Sequence, residues 1–177
     1  MEILPRAVPR TYAEIETGGL FLGDFGEDRI GFGLKCIELL EDSRSADYGL
    51  YLGPPRDGLA YPTLCELDAA AEVLDLGTDF TIVGTIDGEQ VVLGTVDSIY
   101  RVTGLVLIGD SRFLRVNGGV GEDFSMCHIA LPSCQLTQRL PSGARAFFTG
   151  WELRRGDDGE AGGESTLLRI EGAGKPG

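Results

Sequence analysis

The 177-residue chain is poor in the side chains that most often carry chemistry: it has one histidine, four cysteines, two methionines and one tryptophan. A lone histidine cannot supply a two-imidazole metal site. Cys36, Cys65, Cys127 and Cys134 never stand two residues apart, which excludes zinc-knuckle spacing. No apolar run approaches the roughly 18 residues that a membrane-spanning helix needs. The opening MEILPRAVPR places prolines where a secretory leader has its apolar stretch. These absences lead to the expectation of a cytoplasmic protein with reduced cysteines packed as small apolar groups.

Positive charge is also scarce. Fifteen Lys and Arg stand against 28 Asp and Glu, a net charge of −13. Residues 1–88 hold 17 acids and 6 bases (−11), and residues 89–177 hold 11 acids and 9 bases (−2). Such a field repels nucleic-acid phosphates and anionic membranes, so neither is expected as a partner. The partner it favours is a protein with a basic surface. Nothing in the pattern specifies an oligomeric state.

What the chain does have is glycine, 27 residues of it, and short apolar runs of strand character. GLFLGDF (19–25), RIGFGLKCIELL (29–40) and YGLYLG (48–53) read as strands, the last stopped by Pro54 and Pro55. Asp87-Gly88 between DFTIVGTI and EQVVLGTV predicts a two-residue hairpin over 79–96, pairing Gly84 with Val91 and Ile82 with Leu93. SIYRVT, LVLI, RFLRVN, DFSMCHIAL and ARAFFTGWELRR continue the strands. One helix is predicted at about 63–76: Thr63 and Glu66 form a capping box, Leu64, Leu67, Ala71 and Leu74 share a face, and Gly77 stops it. The expected fold is α+β and β-rich, a curved antiparallel or mixed sheet or partial barrel with that helix packed on it. Residues 1–155 form the domain, and 156–177 a flexible, acidic, glycine-rich loop or tail in which LLRI (167–170) can add an edge strand. The echo between GLFLG and GLYLG stops after five residues and is not an architectural repeat.

Few residues invite a chemical reading. Cys127 and His128 are neighbours on a strand and point to opposite faces, so they cannot form a nucleophile–base pair. Gly109-Asp110-Ser111 is similar to the opening of GDSL-type hydrolases but lies between two strands, as a turn. NGGVGED (117–123) carries two acids and precedes a strand, which does not suit a phosphate cradle. Glu14, Glu16, Asp24, Glu27 and Asp28 crowd the first hairpin. Paired carboxylates there could serve glycoside hydrolysis or hold a divalent cation.

Glu16-Thr17-Gly18-Gly19-Leu20-Phe21-Leu22-Gly23 resembles the Glu-x-x-Gly-x-Leu-x-Gly signature of the JAB/MPN (JAMM) family, zinc isopeptidases acting on ubiquitin-like tails. The resemblance covers residues 14–96, and GLAYPTLCELD is similar to the loop and helix opening of bacterial members. It implies Glu16 as general base. Where that family has His-x-His, this chain has Tyr51 and Gly53; where it has Ser-x-x-Asp, this chain has Thr63 and Glu66. Without the usual catalytic constellations, the chain is expected to be a non-catalytic protein-binding or regulatory module. The resemblance implies a metal-free relative, without catalytic residues or cofactor, that holds a partner or serves as a scaffold, with Glu16, Tyr51, Gly53, Thr63 and Glu66 as binding residues. The alternatives are a metal-dependent hydrolase built on Glu16 with atypical ligands, and a structural or assembly protein.

Overall fold

The computed structural model describes residues 7–26, 29–40, 44–54, 62–85, 91–93, 103–118, 126–143, 145–156 and 165–171. Of these described residues, strand accounts for 65% and helix for 2%, the latter a single 3-10 turn, Tyr12–Glu14. In chain order the strands are β1 (Val8–Thr11), β2 (Leu20–Asp24), β3 (Ile30–Leu39), β4 (Ser45–Gly53), β5 (Thr63–Cys65), β6 (Glu72–Gly77), β7 (Phe80–Gly84) and β8 (Val91–Leu93). They continue as β9 (Gly104–Ile108), β10 (Ser111–Asn117), β11 (Met126–Leu131), β12 (Gln135–Thr137), β13 (Arg145–Phe148), β14 (Trp151–Arg155) and β15 (Ser165–Ile170). Among the described residues, no helix is long and apolar enough to cross a membrane.

Six strands close into a barrel. β3, β4, β5, β10, β11 and β12 each pair with the next, and β12 returns to β3. Four of the pairings are antiparallel. The two seams are parallel: β5–β10, with Thr63 opposite Asn117, and β12–β3, with Gln135 opposite Ile37. Strand alternation then sorts side chains cleanly. On β3, Leu34 and Cys36 enter the main core, whereas Lys35 sits on the outer face with Tyr12 and Asp47.

The barrel is one pairing pattern used twice. In β2–β5, Leu20 opposes Leu34, Leu34 opposes Leu50, and Leu50 opposes Leu64. In β9–β12, Leu105 opposes Leu114, Leu114 opposes Ile129, and Ile129 opposes Leu136. These eight residues all pack in or against the main core. The seams match as well: the Ile37 N–H donates to the Cys134 carbonyl at 3.0 Å, and the Asn117 N–H to the Pro62 carbonyl at 2.9 Å. The GLFLG and GLYLG runs are β2 and β4 of one unit, so their echo is not the repeat.

The second sheet, in the order β15-β14-β7, adds Ile82, Trp151, Leu153, Leu168 and Ile170 to the same core. Leu168 and Ile170 belong to the stretch expected as tail. The anticipated last strand therefore forms, and the packed domain extends beyond residue 155; residues 157–164 and 172–177 lie outside the described residues.

Two expectations are overturned. The helix at 63–76, and with it the α+β class, is replaced by an essentially all-β fold. Thr63–Cys65 is β5, Asp68 makes a turn by accepting from the Ala70 N–H at 2.8 Å, and Glu72–Gly77 is β6, paired with β1 and β2. Leu74, on the expected helical stripe, is 40% exposed, while Val73 and Leu76, off it, are buried. Tertiary pairing overrides the local capping signal. The hairpin over 79–96 also does not form as expected. Gly84 pairs with Trp151 and Ile82 with Leu153, whereas Val91 pairs with Phe147, so β7 and β8 join different sheets. Its Asp87-Gly88 turn lies outside the described residues.

Glycine at position 31 is required by close approach. A Cβ there would sit 2.9 Å from both the Gly53 carbonyl carbon and the Pro54 Cδ, in a backbone contact that cannot rotate away. Gly31→Ala is expected to lower stability by about 2 kcal/mol through overpacking, read from urea unfolding.

Candidate functional site

The residues singled out from the sequence do not assemble into one constellation. Tyr51 and Thr63 are direct cross-strand partners on the outer face of β4–β5, and Gly53 ends β4 with φ 135°. Tyr51 is fully buried, and its hydroxyl donates to the Pro54 carbonyl at 2.8 Å. Glu16 and Glu66 are exposed; the Glu16 carbonyl accepts from the Gly19 N–H in the turn before β2. The helix expected to carry Thr63 and Glu66 is absent: Thr63 begins strand β5, and Glu66 lies just beyond its end. Among the described residues, no three His, Cys, Asp or Glu side chains converge to hold a metal ion. Of the acids in the first hairpin, Asp24 accepts from the Gly26 N–H at 2.8 Å, and Glu27 and Asp28 lie outside the described residues.

The outer face of β2–β5 instead carries an aromatic cluster. Tyr12, Phe21, Phe25 and Tyr51 follow one another at ring separations of 5.5, 5.5 and 5.0 Å. Glycine at 33 and 49 leaves room for them: a Cβ on Gly33 would meet Phe25 and Phe21, and one on Gly49 would meet Leu67 and Phe25. Beside this cluster Lys35 is only 5% exposed. Its Nζ donates to the carbonyls of Ala13 (3.3 Å) and Tyr12 (3.4 Å), lies 3.2 Å from the Asp47 carboxylate, and sits 5.1 Å from the Tyr12 ring centroid. Burial, with smaller contributions from Cys36 and Asp47, pushes the Tyr12 phenol well above its ordinary range. Lys35 thus pins the 3-10 turn onto the barrel, and that turn positions β1.

β1 pairs with β6 and ends the order of the large sheet among the described residues. Along it opens a groove of about 520 Å³. Pro9, Leu22, Val73 and Leu74 supply apolar walls, and Glu14 and Glu72 supply carboxylates. Val8, at the head of β1, is 48% exposed. Arg10, the cation in the lining, is 2.9 Å from Asp75. The Glu14 carboxylate accepts from the Thr11 N–H (2.8 Å) and hydroxyl (2.9 Å), which holds it below its ordinary pKa and therefore charged. A second opening, also about 520 Å³, lies at Val8, Asp75, Asp79 and Arg155. The arrangement offers an extended, partly apolar surface with fixed negative charge and no nucleophile–base pair.

On the other unit His128 opposes Arg115 across β10–β11 and is 8% exposed. Cys127 faces the core, as alternation requires, so the two do not form a pair. Among the described residues, neither His128 ring nitrogen finds a hydrogen-bond partner. Burial, then the Arg115 and Arg145 guanidiniums, lower its pKa from 6.5 to about 4. Between pH 6.5 and 4 the unfolded chain binds more protons at this site than the folded one, so its contribution to stability falls as pH drops through that window. A proton NMR titration of this sole imidazole is expected to show it neutral down to about pH 4.

Sequence reading missed Lys35, Arg115 and the β1 groove. The signal for the first two is weak: a single base beside a buried leucine, in Leu34-Lys35 and again in Leu114-Arg115. Compared with protein-family models, curated proteins and solved structures, the chain matches none.

Proposed function

We propose that this chain is a non-catalytic protein-binding module whose groove along the paired strands β1 and β6 takes an extended segment carrying apolar and basic side chains. The observation that carries the reading is the groove itself: apolar walls at Leu22 and Leu74 and carboxylates at Glu14 and Glu72, beside a strand at the end of its sheet. The net charge of −13 supports it by steering a basic partner inward. The metal-free, contact-based part of the sequence reading is retained. The helix expected at 63–76 is no part of it, because Thr63–Cys65 is strand β5.

The test uses a labelled peptide of alternating lysine and valine, with alternating glutamate and valine as control. The basic peptide is expected to bind and to shift amide resonances of residues 10–14 and 72–75. Glu72→Lys should weaken that binding about tenfold, equivalent to about 1.4 kcal/mol. Equal binding of both peptides, or shifts confined to other surfaces, would refute the proposal.

A further inference from the structure

We infer that Cys36 and Cys134 form a reversible disulfide that closes the β3–β12 seam of the barrel when a peroxide is the oxidant. Gln135 and Ile37 are the bridging pair of that parallel seam, and Cys134 and Cys36 each stand one residue before them. Parallel neighbours lie roughly 4.8 Å apart, inside the roughly 4.4–6.8 Å Cα separation that disulfides accept. Both side chains enter the main core, where the Cys36 thiol donates to the Leu34 carbonyl at 3.8 Å. Cys134 is also the one non-glycine among the described residues with a positive φ, 51°. Nothing about cysteine favours that conformation, which is more at home with glycine or asparagine.

The repeated architecture supplies an internal control. At the equivalent seam, β5–β10, the positions of Cys36 and Cys134 are taken by Val116 and Pro62. The backbone bond across each seam is the same, so the thiol pair is not something the barrel needs in order to close. The other cysteines are placed differently. Cys127 is a buried thiol pushed up to about 11, mainly by burial. Cys65 is on the outer face, with Arg29 Nη1 at 3.7 Å.

The neighbouring Cys36 side chain holds the Cys134 thiol below its ordinary range, whereas burial raises that of Cys36 and keeps it protonated, so Cys134 is the attacking sulfur. The Cys134 thiolate attacks one peroxide oxygen; the O–O bond breaks and hydroxide leaves, to be protonated to water. The Cys36 sulfur then attacks the resulting sulfenic sulfur, the S–O bond breaks, and a second water departs with the Cys36 proton. In sum, two thiols and hydrogen peroxide give one disulfide and two waters. Both cysteines are fully buried, so a small oxidant entering by local opening can react where a bulky alkylating agent cannot.

Hydrogen peroxide is added to the full-length chain, which is then analysed by intact-mass and peptide mass spectrometry without reductant. The expected result is a loss of about 2 Da, a Cys36–Cys134 linked peptide, reversal by dithiothreitol, and a thermal midpoint several degrees higher, because the link constrains the unfolded chain. Cys127→Ser should leave this intact. Cys36→Val, which reproduces the other seam, should abolish the link while keeping the fold. Links through Cys65 or Cys127, sulfinic acid at Cys134 without a link, or no 2-Da loss while Cys65 oxidises would each overturn the inference.

Discussion

Replacing Trp151 with alanine should lower the unfolding free energy by about 4 kcal/mol, the largest single loss expected in the molecule. Trp151 begins β14 and is fully buried. It opposes Gly84 on β7 and Ile170 on β15, and its indole packs in the same core as the barrel leucines. Truncation leaves a cavity with rigid strands on three sides, so little collapse can offset it. Chemical denaturation reads the effect as a lower midpoint with an unchanged slope. A loss under about 1 kcal/mol would mean that the three-stranded sheet does not share the barrel core.

Leu34→Ala and Leu114→Ala should each lose about 3 kcal/mol, and the two should agree within about 1 kcal/mol. They occupy the same place in the two units: each opposes a leucine on the preceding strand, Leu20 or Leu105, and an aliphatic residue on the following one, Leu50 or Ile129. Both are fully buried. A large loss at one position and a trivial one at the other would show that the units match in pairing but not in packing.

Much of the strand content could be read directly. Residues 30–39 alternate strongly enough to mark β3, and Gly109-Asp110 forms the turn between β9 and β10 as its composition suggested. The helix failed for a definite reason. Thr63, Glu66 and the Leu64–Leu67–Ala71 spacing satisfy a helix locally, but β4 and β10 offer Thr63 a cross-strand partner on each side. The hairpin over 79–96 failed similarly, because β14 competes successfully for β7. The repeat was illegible because the units share a pattern of apolar positions rather than residues: Leu34-Lys35-Cys36 stands where the other has Leu114-Arg115-Val116.

The groove was hidden for a different reason. Val8-Pro9-Arg10-Thr11 carries a proline and does not read as a strand. The turn that follows it is held by Lys35, twenty-odd residues away, which in an alternating strand looks like an ordinary solvent-facing base. Both facts are tertiary, and no local window holds them.

Backbone amide exchange at the two seams tests the closed, twice-used barrel most directly. The Ile37 and Asn117 amides, donors to the Cys134 and Pro62 carbonyls, should both be among the slowest to exchange and should open at similar free energies. Rapid exchange at either amide would contradict closure. So would continuous protection with helical shifts across residues 63–76.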